Sequence, residues 1–506
     1  MAVQKIITAS IVGINASLVE VQADVSNGLP TTIIVGLPDT AVQESRERVR
    51  SAIKNSGFKY PQTRVSLNLS PGYLPKAGTH FDMPIALAIL MANGLKVVNT
   101  DSSLFIGELS LDGMVKPTAG VLAMVEAGQK VGLKNVFVPL GNASMASLVK
   151  GVNVYPVGTF KKLVDHLCGV ELIKAVNTSS TVMHPLVSEQ PEIDFSHIVA
   201  QEHAKRALEI AASGGHNILM TGPPGSGKTM LAKAVLGILP NLSDEEILNL
   251  TKIYNSSGLL QSGIINARPM RSPHHSSSVP ALIGGGGIPR PGEITLAHHG
   301  VLFLDEFPEF PRAVLEVLRQ PLEENFVTIT RSKTSYIFPA SFILIAAQNP
   351  CPCGNFDEPG LECTCSTSSI QRYKKKISGP ILDRIDLHIN VPRLKYKEFF
   401  AGSINESSND IKARVCNARK IQVRRFGKAQ TNNEMSTSQL KKFCILNKHS
   451  SALMEQAVNK YQLSGRSIHR VIKVARTIAD LTGSENIELE HIAESLQYRL
   501  RDAAGA

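Results

Sequence analysis

The chain has 506 residues, 43% of them apolar, with 5% aromatic residues and no tryptophan. That is length for about three domains with ordinary cores and a poor supply of stacking surfaces for sugars. Lys and Arg outnumber Asp and Glu by 53 to 43, yet residues 1–190 carry +3, residues 191–365 carry −5 and residues 366–506 carry +12. A basic final third fits either a polyanionic partner or solvated helix faces, and charge alone does not choose between them. The longest apolar run, residues 83–92, is well short of the ~18 residues a membrane span needs. Thr8 and Ser10 break the first apolar stretch, and Glu20 and Asp24 follow it, so neither a membrane span nor a secretory signal is expected. Four of the seven cysteines fall within residues 351–365, which points to a reducing, cytoplasmic setting and a metal site in place of a disulfide framework.

In chain order, residues 19–25 and 32–35 pattern as strands, while residues 39–55 and 82–91 pattern as helices, the latter stopped by Gly94. The polar, Pro-punctuated segment 176–192 reads as a linker. A helix at 203–212, a strand at 217–221, a Gly-rich turn and a helix at 228–239 follow. Residues 279–293, with Gly284 to Gly287, read as an irregular insertion. Residues 301–304 and 342–347 are short continuous apolar runs, as in a parallel sheet buried on both faces. From about residue 394 the pattern is helical.

The run Gly222, Pro223, Pro224, Gly225, Ser226, Gly227, Lys228, Thr229 is a full nucleoside-triphosphate phosphate loop between an expected strand and helix. Its glycines let backbone N–H groups converge on phosphate oxygens at a helix N-terminus. Lys228 can reach the β and γ phosphates, and the Thr229 hydroxyl can ligate Mg²⁺. The apolar run 301–304 delivers Asp305 and Glu306, the first for the Mg²⁺ shell and the second to polarise the attacking water. Asn349, after the next core strand, can orient that water, or it can serve a turn before Pro350. Arg384 lies beyond the core. It can stabilise charge on a neighbouring protomer's γ-phosphate, or pair within the chain with Asp383 or Asp386. Cys351, Cys353, Cys363 and Cys365 form two C-x-C pairs nine residues apart, suited to structural Zn²⁺, with free or oxidised thiols as the alternative. The pairs His274–His275 and His298–His299 are read as DNA or interprotomer contacts, because neighbours in a strand point to opposite faces. Arg372 with Lys374 to Lys376, and Arg424–Arg425 with Lys428, are either phosphate contacts or solvated faces.

These motifs come with others: Gly36 to Thr40, Glu44 to Arg50, Phe81 to Leu87, Arg271 to His275, Arg290 to Ile294, Ile377 to Pro380 and Val474 to Leu481. Together they make the chain resemble, over essentially its whole length, the magnesium-chelatase-like AAA+ ATPases of the ComM (YifB) group. The resemblance implies a multidomain α/β protein. Residues 1–175 would be a Lon-protease-like α+β domain, 193–393 an AAA+ P-loop core with β-hairpin insertions and the four-cysteine insert, and 394–506 a helical lid. It implies a ring-forming, hexameric, ATP-driven motor on single-stranded or branched DNA, used for branch migration in recombination of transforming DNA, with ATP, Mg²⁺ and structural Zn²⁺. It also makes Asn349 the first sensor, Arg466 the second and Arg384 the arginine finger. Residues 325–341 become a β-hairpin carrying Arg331 and Lys333 toward DNA, and its alternating VTIT and SYIF runs agree. In the Lon-like domain, Phe81-Asp82-Met83 stand where a peptidase has its Ser nucleophile and Val121-Leu122-Ala123 near its Lys, so a non-peptidase scaffold is expected. Two other functions fit the P-loop: a chelatase-type ATPase for metal insertion, and an ATP-dependent regulator or adaptor.

Overall fold

The computed structural model describes residues 4–98, 100–176, 193–260, 263–286, 289–331, 334–356, 358, 361–393 and 405–499. Alternating residues near the start form strands β1 (Gln4–Val12) and β2 (Asn15–Ser26), which pair antiparallel down to Val12 and Asn15. Strands β3 (Thr31–Val35), β4 (Arg64–Ser70) and β5 (Ser103–Phe105) follow, and β6 (Glu108–Leu109) pairs with β7 (Val115–Lys116) in a short ribbon. With β8 (Asn135–Pro139) and β9 (Asn153–Val157) they complete a mixed seven-stranded sheet in the order β3-β4-β2-β1-β5-β8-β9. The helix Thr40–Asn55 starts where Asp39 accepts a hydrogen bond from Val42 N at 2.8 Å, the side-chain cap that satisfies a first-turn donor. The helix Asp82–Ala92 is buried on all sides from Asp82 to Met91. Its apolar side chains contribute about 1.5–3 kcal/mol each by leaving water, which is why its sequence lacks a polar stripe.

The second sheet is parallel throughout. Strands β10 (Ile218–Thr221), β11 (Met270–Arg271), β14 (Val301–Leu304), β17 (Ile343–Gln348) and β18 (Leu387–Asn390) take the order β11-β14-β17-β10-β18. Alternate residues of β14 and β17 feed two cores. Val301, Phe303, Ile343 and Ile345 pack with the helices Glu202–Gly214 and Lys228–Ile238. Leu302, Leu304, Leu344 and Ala346 face Phe307, Phe310 and the inserted elements. Burial on both faces explains why these strands are continuous apolar runs. The insertion expected to be irregular has regular structure: a short helix, Val279–Ile283, leads into a ribbon of β12 (Gly284–Gly285) and β13 (Arg290–Pro291). The expected hairpin forms from β15 (Phe326–Arg331) and β16 (Thr334–Pro339), with Arg331 opposite Thr334. Lys333 lies outside the described residues.

After residue 405 the chain is helical. The helices Ser408–Phe426 and Gly465–Leu481 lie against the P-loop core, while Leu440, Met454, Ala475 and Ile492 build a separate cluster. Buried Asp480 gathers Arg425, Arg476 (Nε 3.1 Å) and Asn432 (2.8 Å). Arg425 therefore points inward, and both readings weighed for it, a phosphate contact and a solvated face, are corrected: a carboxylate buried at this depth takes the nearest guanidinium. The first sheet docks on the second through the helix Asp244–Ser257. Lys252 Nζ reaches Asn15 Oδ1 (2.7 Å) and Glu126 Oε2 (2.5 Å), and Asn255 accepts from Gly120 N (3.2 Å).

Candidate active site

The phosphate loop connects the C-terminal end of β10 to the helix Lys228–Ile238, at the point in the sheet where connections run to opposite sides. Gly225 and Gly227 adopt φ of +76° and +89°, a region open to glycine. At Gly222 a Cβ would stand 2.2 Å from Val391 O, so no side chain fits. Lys228 is buried and donates to Gly222 O (2.7 Å), Pro223 O (2.9 Å) and Asn349 Oδ1 (3.3 Å). Burial lowers its pKa, and Asp305 opposes that shift. Such an ammonium is held beside acceptors that phosphate oxygens can replace. Ser226 Oγ is buried with no hydrogen-bond partner among the described residues, an unmet polar atom inside the loop.

Thr229 Oγ1 donates to Asp305 Oδ2 at 3.0 Å, which puts a hydroxyl and a carboxylate from two elements side by side. This pair of hard oxygens suits Mg²⁺. Asp305 Oδ1 also accepts the Glu306 N–H at 2.9 Å. Glu306 takes a left-handed φ of +50° and directs its carboxylate to His275, with Oε2 2.9 Å from Nδ1. Asn349 follows β17, the strand between β10 and β14, and its contact with Lys228 brings it to the loop. The residues expected to bind and hydrolyse nucleotide within one chain are thus drawn together.

Arg384 and Arg466 are not part of that group. Arg384 precedes β18 at the edge where Asp386 N and Leu387 N donate to Asn217 O, just before β10 begins. The phosphate loop lies at the other end of the same strands. Arg384 is buried and binds Glu323 (Nη2–Oε1 2.7 Å) and Pro380 O (2.6 Å). Its partner is thus neither of the aspartates weighed from the sequence, since Asp386 is taken by Arg470 and His216. Arg466 is exposed, with Nη2 3.9 Å from the same Glu323 oxygen. Sequence reasoning missed Glu323, which lies some sixty residues from Arg384 in a stretch with no motif.

The four cysteine sulfurs lie within 4.8 Å of one another. The Cys351–Cys353, Cys351–Cys363 and Cys353–Cys363 separations are 3.3, 3.7 and 3.6 Å. A tetrahedron with Zn–S bonds of about 2.3 Å has edges of about 3.8 Å, whereas a disulfide needs about 2.05 Å, so the donor set fits Zn²⁺. A backbone hydrogen bond from Asn355 pulls the Cys353 thiol down to about 6, toward the thiolate a metal takes. Gly354, in the turn after Cys353, packs so closely on the phosphate loop that a Cβ there would lie 2.4 Å from Pro224.

The histidine pairs need correction. Neither lies in a strand, and the two rings of each pair pack against each other at a tilt, with centroids 4.1 Å apart for His274–His275 and 3.8 Å for His298–His299. His298 is buried, and its Nδ1 accepts from Ser341 N (3.0 Å), while His299 lies 3.6 Å from Glu246. That second pair holds its own chain together. The basic run after residue 371 is partly engaged as well, with Lys376 on Glu309 (2.8 Å) and Lys374 over the Phe356 ring. In the first sheet and its helices several buried polar groups are spent internally. Arg48 binds Asp82 through Nε (2.8 Å) and Nη2 (3.0 Å), His80 meets Ala9 O (2.9 Å), and Lys76 donates to Pro71 O. Burial drives His80 down to about 4.

A complete phosphate loop after an interior strand of a parallel sheet, with an aspartate from β14, the next strand but one, beside its threonine, defines a P-loop nucleotide-binding α/β protein. The chain matches the family described as magnesium chelatase, subunit ChlI, over residues 194–399. It also matches subunit ChlI of Mg-chelatase over 21–142 and the subunit ChlI C-terminal family over 405–499. It is 42% identical over 493 residues to competence protein ComM of Haemophilus influenzae, covering 96% of this chain and 95% of that protein. It is 38% identical over 508 residues to the uncharacterised protein YifB of Escherichia coli, covering 99% and 98%. The chain belongs to the ComM/YifB group of magnesium-chelatase-like proteins. A shorter similarity, 29% over 125 residues, relates it to Lon protease 2 of Bacillus subtilis, covering 24% of this chain and 22% of that one. Among the described residues no helix is long and apolar enough to cross a membrane.

Proposed function

We propose that the chain is an AAA+-type ATPase that assembles into a ring and drives work on DNA. The observation that carries this reading is the division of the site. Lys228, Thr229, Asp305, Glu306 and Asn349 gather at one end of the parallel sheet, and Arg384 with Arg466 at the other. An arginine at the far end of its own sheet can reach only another copy's phosphate loop. Lys228 and the loop Gly222 to Thr229, through the backbone N–H groups of Gly225 to Thr229, would hold ATP. Mg²⁺, on Thr229 and Asp305, would neutralise phosphate charge. Glu306 takes the proton of the attacking water, Asn349 orients that water, and Arg384 and Arg466 of a neighbouring copy stabilise charge on the γ-phosphoryl as it leaves ADP.

On this reading residues 1–175 form a Lon-like scaffold without peptidase groups, since Phe81, Asp82 and Met83 are buried and Arg48 occupies Asp82. Residues 176–192 are a linker, 193–393 the motor core, and 394–506 a helical lid. Zn²⁺ on the four cysteines would stiffen the turn against Pro224. The full-length likeness to a competence protein supports a role in handling transforming DNA, with branch migration as the work done and the hairpin residues Arg331 and Lys333 as phosphate contacts. The test is ATP turnover at low salt with and without single-stranded and forked DNA. Stimulation by either is expected. Turnover indifferent to DNA but raised by a porphyrin-chelatase partner would replace the reading with metal insertion, and turnover indifferent to both would leave a regulatory ATPase.

A further inference from the structure

The three consecutive carbonyls of Asp383, Arg384 and Ile385 accept hydrogen bonds from arginines of the helical segment after residue 405. Arg470 Nη1 donates to Arg384 O at 3.0 Å. Arg499 spans the residues on either side, with Nη1 on Ile385 O at 2.8 Å and Nη2 on Asp383 O at 3.4 Å. Arg470 is held in turn by the buried carboxylate of Asp386. That carboxylate also accepts from Asn217 N at 3.0 Å, and Asn217 Nδ2 donates to Arg384 O at 3.3 Å. The main chain at Arg384 is thus gripped by the sheet on one side and by two guanidinium groups on the other.

The same two arginines reach the position of Arg466. Arg470 lies one turn after it on the helix Gly465–Leu481, and such residues share a helix face. Arg499 Nη2 also donates to Oγ of Ser467, the residue after Arg466, at 3.4 Å. One guanidinium fork therefore ties the segment carrying Arg384 to the turn carrying Arg466. Charged donors make the stronger hydrogen bonds, and the planar fork fixes direction as well as distance. Because the hold on Arg384 is through its main chain, its side chain can leave Glu323 without loosening it.

We infer that Arg470 and Arg499 are positioning residues that lock Arg384 and Arg466 into one unit, presented together to a neighbouring copy's phosphate loop. The inference rests on the proposed reading that Arg384 and Arg466 act on another copy. It adds that the helical segment, and not the sheet alone, sets where both arginines stand. A shift of that segment moves the two together, and a misplacement of about 1 Å can cost about 10²-fold in rate.

The test is steady-state ATPase of the full chain, with each variant assayed alone and after mixing in equal amounts with Lys228→Ala. Lys228→Ala copies lose their own nucleotide site but keep all four arginines. Arg499→Ala is expected to lower kcat about tenfold and Arg470→Ala about 10²-fold. ATP-analogue affinity should be unchanged in both, because neither residue stands at its own phosphate loop. Mixing with Lys228→Ala is expected to raise turnover per variant copy severalfold, since intact arginines then reach the variants' loops. A merely structural role gives dilution alone. Arg470→Ala leaves buried Asp386 short of a partner, so Arg499→Ala carries the test if that variant does not fold. Arg384→Ala mixed with Lys228→Ala is the reference for an arginine that works in another copy. A gain in the reference without a gain for Arg499→Ala overturns the inference, as does an unchanged kcat in Arg499→Ala. No gain in the reference overturns the reading on which the inference rests, a result distinct from failure of the two positioning residues.

Discussion

The two ends of the parallel sheet are built on different principles. At the C-terminal ends of β10, β14 and β17, polar groups pair at 2.9–3.3 Å, Lys228 with Asn349, Thr229 with Asp305 and Asp305 with Glu306 N, and Thr229 and Glu306 remain open to solvent. At the opposite end Arg384 is buried with Arg466 beside it, and one carboxylate, Glu323, meets both. The strand between them, β18, is four residues long, or about 13 Å at 3.3 Å per residue. A side chain cannot fold back across that length. The first end gathers the side chains proposed to hold nucleotide; the second carries two arginines, Arg384 and Arg466, that share Glu323 as their ion-pair partner among the described residues. The comparison teaches that the sequence motifs of this chain describe parts of two different sites.

Substitutions at each end give a direct way to break that contrast. Arg384→Ala is expected to lower kcat about 10³-fold with analogue affinity unchanged, because on the proposed reading the arginine serves another copy; a matching loss of affinity would place it in its own chain's site. Lys228→Ala should cost about 10²- to 10³-fold and remove analogue binding too, read by equilibrium titration. Asp386→Asn, next to Arg384, should destabilise the core by about 3 kcal/mol in urea unfolding at pH 7, because it breaks the pair between buried Asp386 and partly buried Arg470. Burial alone would raise the Asp386 pKa, but Arg470 and His216 outweigh it and hold the carboxyl well below its usual range. Its contribution is therefore present above the unfolded value of about 3.9 and fades as pH falls through the depressed one. The gap between wild type and variant should persist at pH 5 and narrow only below about pH 4. The smallest effect is expected at the knot beside the loop. Cys363→Ser should take zinc from one ion per chain toward none by elemental analysis and lower turnover by up to about tenfold, through slack at Pro224.

What could be read in advance followed locality. The phosphate loop, the strand before Asp305 and the helix Asp82–Ala92 were legible because glycine conformations, apolar runs and caps act over a few residues. The convergence of the four cysteines was legible because two closely spaced pairs joined by a short loop bring their sulfurs together. Arg425 was misread because its partner, Asp480, comes from a helix about fifty residues later. The histidine pairs were misread because a strand was assumed where the chain turns. Glu323 carries no local pattern, so its convergence with Arg384 and Arg466 emerges only when the insertions fold. The pairing of His275 with Glu306 is of the same kind.

The opposed placement of Lys228 and Arg384 also has a consequence for symmetry. If each copy offers its loop to one neighbour and its arginines to the other, the contacting patches differ, and the contact is heterologous. A ring closed by such contacts has a rotation axis but no two-fold perpendicular to it. Its two rims are then chemically unlike, with every first sheet on one side in the same orientation and every hairpin pointing alike. A nucleic-acid strand is itself directional, so entry from one rim would not be equivalent to entry from the other. That vectorial character is set in a single chain, by the length of one four-residue strand.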